Sequence, residues 1–362
     1  MFPEKELFEY VLIELAEQLA SRDVPAPEPM LCDRWIARSA MQKGCRRAEV
    51  DVAQRALARI FVDDPQSVWR HLTVIALEDV GVANIDVLAR ITAARLNRTW
   101  RNKMGGDWAV ASLLVRQIAE SNHCQAACDL LLVAINQPDL ERARDAALEA
   151  PCASLADTIT DQSFSLDHQG IAALALGGGL AEGQPCHDPH AVFDVLSEQS
   201  YASHVIATCR AAWRGSRNPM ALLLPLVWQQ WEQNSGCQIA DDPMPQVRMT
   251  NGVPGYAIDQ FTRTGGQVAR AFLAGDHETR TILDSAGIPR TMQHRVIGDL
   301  QFLIEGGQLR RRLVWQDADR LRLPHRALAG TFQMGDKLQL ALKKMIASGK
   351  AIATVRARYL CQ

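Results

Sequence analysis

Residues 33–81 read DRWIARSAMQKGCRRAEVDVAQRALARIFVDDPQSVWRHLTVIALEDVG, and this stretch decides the fold class. Behind Asp33, whose carboxylate suits an N-cap, Trp35, Ile36, Ala40 and Met41 recur at helical spacing. Residues 48–60, rich in alanine and arginine, predict a second helix. Pro65 fits the first turn of a third, with Asp64 as its cap, Val68, Leu72, Ile75 and Ala76 as its inner face and Gly81 as its end. Strand alternation is scarcely visible, and the breaks are as short as antiparallel helix packing favours. Outward from this stretch, helices are predicted near 86–98, 107–120 and 123–135, then 189–199, 201–213, 218–233 and 291–305. The expected fold is all-α, a multi-helix bundle.

The flanks are less regular. Phe2, Leu7, Phe8, Val11, Leu12, Leu15 and Leu19 form one apolar stripe opposite a glutamate-rich face, and that stripe needs the body or another subunit to bury it. Pro25, Pro27 and Pro29 then impose an extended linker. The pattern weakens over 151–184, broken by Gly170, Gly177, Gly178, Gly179 and Gly183, and a turn-rich stretch occupies 236–255. Four consecutive parts follow: 1–29 (helix and linker), 30–150 (helical domain), 151–285 (second helical region) and 286–362 (basic C-terminal region).

At 48% hydrophobic, 22% charged and 6% aromatic residues, the 362-residue chain has globular composition, which excludes a disordered, collagen-like or disulfide-scaffold protein. No apolar run reaches membrane-spanning length, and Glu4, Glu6, Glu9, Glu14 and Glu17 argue against a signal peptide. Nine irregularly spaced cysteines are expected to be reduced core thiols of a cytoplasmic protein. The net charge of -2 hides an asymmetry: residues 290–362 hold fourteen Lys/Arg against five Asp/Glu. A basic end on an acidic body points to a polyanion, an acidic partner or simply a solvated face.

Motifs for catalysis are missing. Gly349-Lys350 is followed by Ala351 where a phosphate loop needs Ser or Thr, and Gly177-Gly178-Gly179 has no lysine. Val74-Ile75-Ala76-Leu77-Glu78-Asp79 looks like a Walker B strand in isolation but fits a helical turn closed by Gly81 better. His123, Cys124 and Cys128 have zinc-compatible spacing but no second ligand pair, since Cys186-His187 stands alone. No catalytic residue, cofactor or metal is expected.

Two polar segments remain. In the first, Gly255 to Gly265, Asp259 either orients Arg263 for a phosphate or partner, or caps a helix start together with Thr262. In the second, the helix near 291–305 is followed by Gly306-Gly307 and a basic strand. That order fits a helix-plus-hairpin in the manner of a winged helix, with Arg310, Arg311, Arg312, Arg320, Arg322, Lys343 and Lys344 against DNA phosphates. The alternative is a hairpin whose arginines pair with acidic neighbours.

Ser39-Ala40-Met41-Gln42-Lys43-Gly44-Cys45-Arg46-Arg47 resembles the S-A-L-x-K-x-x-R helix in the C-terminal region of the MgsA/RarA group, clamp-loader-like AAA+ ATPases that maintain stalled replication forks. Ala56-Leu57-Ala58-Arg59-Ile60 is similar to that group's W-L-A-R-M helix, and Asp63-Asp64-Pro65 with Trp69-Arg70-His71-Leu72 to its D-P-x-x-I-x-R-R-L. Ala76-Leu77-Glu78-Asp79-Val80-Gly81 resembles A-S-E-D-I-G, and Ile118-Ala119-Glu120-Ser121-Asn122 weakly resembles L-A-x-x-P-K-S-N. The likeness covers about residues 33–135, a helical collar in that group, without the ATPase modules. It implies a homo-oligomer or a replication or recombination partner, with Arg46, Arg47, Arg59 and Arg70 pairing with Glu78 or Asp79 between subunits or within one. The leading expectation is a cytoplasmic, non-catalytic scaffold whose basic end contacts DNA, with no membrane partner. The alternatives are a DNA-binding transcriptional or mobile-element regulator, and an enzyme with a pocket near 170–183 and 256–263.

Overall fold

A computed structural model describes residues 4–20, 27–181, 186–199, 201–234, 236–328 and 331–360. About 75% of the described residues are helical, in twenty α-helices with short 3-10 and π turns and a few short strands among them, so the fold is an all-α multi-helix bundle as expected. In chain order α1 is Glu4–Ala20, α2 Arg34–Arg46, α3 Val50–Asp63, α4 Ser67–Ile75, α5 Ile85–Leu96, α6 Arg98–Lys103, α7 Gly106–Glu120 and α8 Ala126–Asn136. Then come α9 Glu141–Glu149, α10 Cys152–Thr160, α11 Leu166–Gly177, α12 Pro189–Ser197, α13 Ser203–Ser216, α14 Met220–Glu232 and the strands β1 Gln238–Ala240, β2 Met249–Thr250 and β3 Val253–Pro254. The remainder is α15 Arg263–Gly275, α16 His277–Ser285, α17 Arg290–Gln301, β4 Arg312–Val314, α18 Gln316–Leu328, α19 Leu338–Ala347 and α20 Gly349–Leu360.

The chain divides into two compact units that interleave along the sequence. Unit 1 takes Met1–Val24, Trp69–Ala240 and Arg311–His325; unit 2 takes Pro25–Val68, Asp241–Arg310 and Arg326–Gln362. The four consecutive parts expected above are corrected to two bodies of three pieces each. The basic end is therefore shared out between them. Of the proline-rich linker, residues 21–26 lie outside the described residues.

Unit 1 is organised on an apolar interior. α11 buries Leu166 and every residue from Gln169 to Gly177, and packs on α8, α10, α12 and α14. A helix apolar all round has to be central, which is why the weak periodicity over 151–184 marks a core helix and not a break. The amphipathic stripe of α1 is buried against the body: Phe8, Val11 and Leu12 join Ala89, Ala93 and Ala211. Gly81 ends the π-helical turn Ala76–Val80 at φ +50°, and a Cβ there would lie 2.6 Å from the Cys124 carbonyl oxygen, so only glycine fits. The Walker-B-like stretch is thus helical. β4 pairs antiparallel with β1, Ile239 opposite Leu313, and bridges His123 on its other side. Among the described residues β4 has no strand partner nearer in sequence than β1, so the hairpin expected beside α17 is not formed. Cys152 and Cys186 form a disulfide with Cα atoms 6.2 Å apart, which corrects the expectation that all the thiols are reduced.

Unit 2 is built around the α2–α3 pair. Asp33 caps α2 as read from sequence, accepting from the amides of Trp35 and Ile36 at 2.7 and 3.0 Å. Thr262 caps α15 by accepting from the Gly265 amide at 3.0 Å. Gly265 lets α15 start hard against the preceding loop, since a Cβ would fall 1.8 Å from the Asp259 carbonyl oxygen. α15 then packs between α17 and α20.

Candidate functional site

One face of α2 carries the polar residues of the motif quoted above: Ser39, Lys43, Arg46 and Arg47 sit at i, i+4, i+7 and i+8, which places them together. In unit 2 this face meets the segment that follows β3. Lys43 Nζ donates to Asp259 Oδ2 at 2.5 Å and to Ser39 Oγ at 2.6 Å, and the two charged side chains are only 4% and 2% exposed. Arg47 donates to Glu49 at 2.9 Å and lies 4.8 Å over the Tyr256 ring, whose hydroxyl donates to the other Glu49 oxygen at 2.5 Å. Arg46 donates to the Gly306 carbonyl at 3.2 Å and stacks 5.6 Å over Phe302. Arg356 on α20 completes the cluster by donating to Glu305 at 2.9 Å.

Burial dominates the electrostatics. It holds the Lys43 ammonium below its ordinary pKa despite the Asp259 carboxylate, with Arg46 and Arg356 pushing the same way. Burial and Glu49 push the Tyr256 hydroxyl up, so it stays protonated and donates. With both charges sealed, neither Lys43 nor Asp259 is presented to a reactant. The pair clasps α2 to the 255–262 segment, and such a pair fixes geometry more than it adds net stability.

The residues expected to meet across an interface belong partly to unit 2 and partly to unit 1. Arg46 and Arg47 are 2% and 6% exposed and held within unit 2 by the bonds above. Arg59, also in unit 2, donates to the Cys32 carbonyl at 2.8 Å and pairs with Asp63 at 3.2 Å. In unit 1, Asp79 is fully buried and accepts from Gln125 at 2.8 Å, Glu78 is half-buried on the same turn and Arg70 is exposed on α4. For Arg47 and Arg59 the acid partners are Glu49 and Asp63, within unit 2, in place of the expected Glu78 or Asp79. Of the polar cluster, Asp259 pairs with Lys43 and not with Arg263. It also turns the chain by accepting from the Phe261 amide at 3.1 Å, while Arg263 is exposed.

The basic C-terminal residues are mostly engaged. Arg310 pairs with Asp241 at 2.6 Å, Arg312 with Asp319 at 2.7 Å, and Arg320 with Asp167 and Asp317 at 2.7 and 3.3 Å. Arg311 donates to the Ala119 carbonyl at 2.8 Å, and Arg322 is buried. Lys344 sits between Glu278 and Asp276 at 2.6 and 3.4 Å, and Lys343 is exposed. Of the two stretches offered as an enzyme pocket, 170–177 is the interior of α11 in unit 1, 182–183 lie outside the described residues and 256–263 belongs to unit 2.

Sequence reasoning offered Arg263 as a phosphate or partner contact but missed the rest of a second polar feature of unit 2. Arg263 and Arg270 occupy the outer face of α15, and Arg295 and His294 the outer face of α17, with Arg270 Nη2 donating to His294 Nε2 at 3.1 Å. The seven-residue spacing of Arg263 and Arg270, opposite the buried Val268 and Phe272, is the signal that could have found it.

Burial pushes the Cys32 thiol up to about 12 and that of Cys124 to about 11, so both are protonated thiols at neutral pH. Among the described residues no three His, Cys, Asp or Glu side chains are placed to hold a metal ion, and no helix is long and apolar enough to cross a membrane. Scans against protein-family models, curated proteins and solved structures find no match to the chain.

Proposed function

We propose that the chain is a non-catalytic assembly protein that binds a second copy of itself through the outer side of the α2–α3 pair, in a replication-fork or recombination setting. One observation carries the reading. Trp35 and Val62 are 52% and 65% exposed on the segment that resembles a collar, and Leu31, just before it, is 75% exposed. Exposed apolar side chains grouped on segments that are held together are what an interaction surface presents, whereas single ones are ordinary. The segments that bear them are tied together: Arg59 holds the Cys32 carbonyl, and Arg38 bonds Asp64 at 3.2 Å while lying 4.8 Å over the Trp35 ring. Arg34 stacks on the same ring at 5.0 Å. An aromatic anchor flanked by arginines is the composition of an interface hot spot.

The collar likeness supports a second copy as the occupant, because in the resembled group that region assembles subunits. In this reading Arg46, Arg47 and the Lys43–Asp259 pair hold the inner side of α2 firm so that its outer side is presented. DNA contact by the basic end belongs to the same reading and rests on Lys343, which is exposed and forms no ion pair among the described residues. Light scattering on a sizing column at about 10 μM tests the assembly. The expected result is an oligomer that the Trp35→Glu/Val62→Glu double variant converts to monomer with helicity intact. A wild-type chain that runs as a strict monomer overturns the proposal.

A further inference from the structure

The arginine face of α15 and α17 does chemistry that assembly does not require. Phe261, just before α15, is 70% exposed, with its ring edge-to-face on Phe302 at 5.5 Å between centroids. Arg263 opens α15, and Arg270 follows two turns and about 10 Å along the same outer face. α17 runs antiparallel beside it. Its Phe302 end meets Phe261, a Cβ on Gly298 would lie 2.6 Å from Gln260 Cβ, and its His294 receives Arg270. Burial, then Arg270 and Arg295, holds the His294 imidazole below its ordinary pKa, in keeping with a neutral ring that accepts from Arg270.

The neighbouring carboxylates are withdrawn from this face. Asp259 is buried on Lys43, and Asp299 is buried at 8% exposure with Gln260 bonded to it. Among the described residues none of Arg263, Arg270 and Arg295 forms an ion pair, in contrast to Arg310, Arg312, Arg320 and Lys344. A row of unneutralised guanidiniums ending in an exposed aromatic ring is what a single strand recognises: phosphates on the cations, a base on the π face. Duplex DNA has its base faces stacked away from such a ring. A membrane surface would need further apolar groups beside Phe261, where Gln260 is half-buried, Thr262 is buried and Arg263 is charged.

We propose that the face formed by Phe261, Arg263, Arg270 and Arg295 binds single-stranded nucleic acid, with one base stacked on Phe261. This site is independent of the α2–α3 surface and is available to a monomer.

The test is fluorescence anisotropy of a labelled oligothymidylate of about 20 nucleotides titrated with the full chain at low salt. A duplex of the same length and phosphatidylserine vesicles are run beside it. The expected result is binding to the single strand in preference to the duplex and the vesicles. Affinity should fall with salt at a log–log slope of about -0.7 per phosphate contacted, hence about -2 for three arginines. Phe261→Ala and Arg270→Glu should each weaken binding about tenfold or more, while Lys103→Glu, at an exposed cation of α6 in unit 1, leaves it within about twofold. Both sensitive positions are exposed, so circular dichroism of each variant should match the wild type. Absence of binding, equal affinity for Phe261→Ala, tighter binding to duplex or vesicles, or a loss produced by Lys103→Glu instead each overturns the proposal.

Discussion

Units 1 and 2 solve the same problem with different materials. Unit 1 holds 18 Lys/Arg and 26 Asp/Glu; unit 2 holds 21 and 15. Unit 1 buries isolated charged groups such as Asp79, Arg101 and Asp129 but builds its centre from α11 and α14, whose buried faces are almost wholly apolar. Unit 2 carries a sealed ionic cluster through its middle, with Lys43, Arg46, Arg47 and Arg356 interleaved with Tyr256 and Phe302. An apolar centre is stable but tolerant, because volume-conserving exchanges cost little. A buried ion pair adds little net energy but penalises every arrangement that separates its partners. Unit 1 is thus the more plastic core and unit 2 the more exactly positioned one. The exposed Trp35 and the arginines of α15 and α17 both belong to the positioned unit.

The comparison is broken most forcefully at Lys43. Lys43→Met leaves Asp259 buried without its cation and should destabilise unit 2 by about 3–5 kcal/mol. In hydrogen exchange, protection should drop over 34–46 and 255–262 but not over 166–177. The Lys43→Met/Asp259→Leu double variant should recover most of the loss, because the desolvation of both charges goes with them. If the single variant proves neutral, the cluster is not the organising feature of unit 2.

Unit 1 answers to its disulfide. Cys152 and Cys186 are 34 residues apart, and closing a loop of that length restricts the unfolded chain. Reduction, or Cys152→Ser, should lower the stability of unit 1 by about 2–4 kcal/mol, read as an earlier urea transition for probes in α10–α12. Unit 2 should be unmoved by it. An unchanged transition would leave unit 1 resting on its apolar centre alone.

The smallest effect sharpens the electrostatic contrast. Burial pushes the Asp299 carboxyl of unit 2 up to about 7, above its unfolded value near 4. Between those values the folded state keeps a proton that the unfolded chain has released, so stability falls as pH rises from about 4 to 7. Above that range the folded state carries the buried charge in full. Urea midpoints taken from pH 5 to pH 8 should decline for the wild type and be flatter for Asp299→Asn. Parallel slopes would show that Asp299 does not titrate in this range.

Much of the helical framework was legible in the sequence. Asp33 as a cap, Gly81 as a stop and the helices over 189–232 follow from local spacing and chain chemistry, and local rules suffice for them. α11 was not legible, since a helix apolar on every side has no period to detect. Neither were the two units, which depend on which segments meet after long excursions. The site divides in the same way. Ser39, Lys43, Arg46 and Arg47 stood out as a motif and Asp259 as part of a polar cluster, but the bond between them spans 216 residues, and no spacing rule reaches that far. Of the two readings of Asp259, a partner for Arg263 or a helix cap beside Thr262, both looked no further than four residues along the chain. In the fold it is Lys43 that is buried beside the carboxylate, and Arg263 stays in solvent.

Hydrogen exchange of the whole chain, recorded at about 0.5 μM and again at about 50 μM, asks most directly whether α2 faces two ways, a clasp within and a docking surface without. Raising the concentration should protect peptides covering 30–38 and 59–66 and leave those over 43–47 and 255–262 as slow as before. Protection that grows at 43–47 instead, or exchange identical at both concentrations across 30–66, would contradict the account.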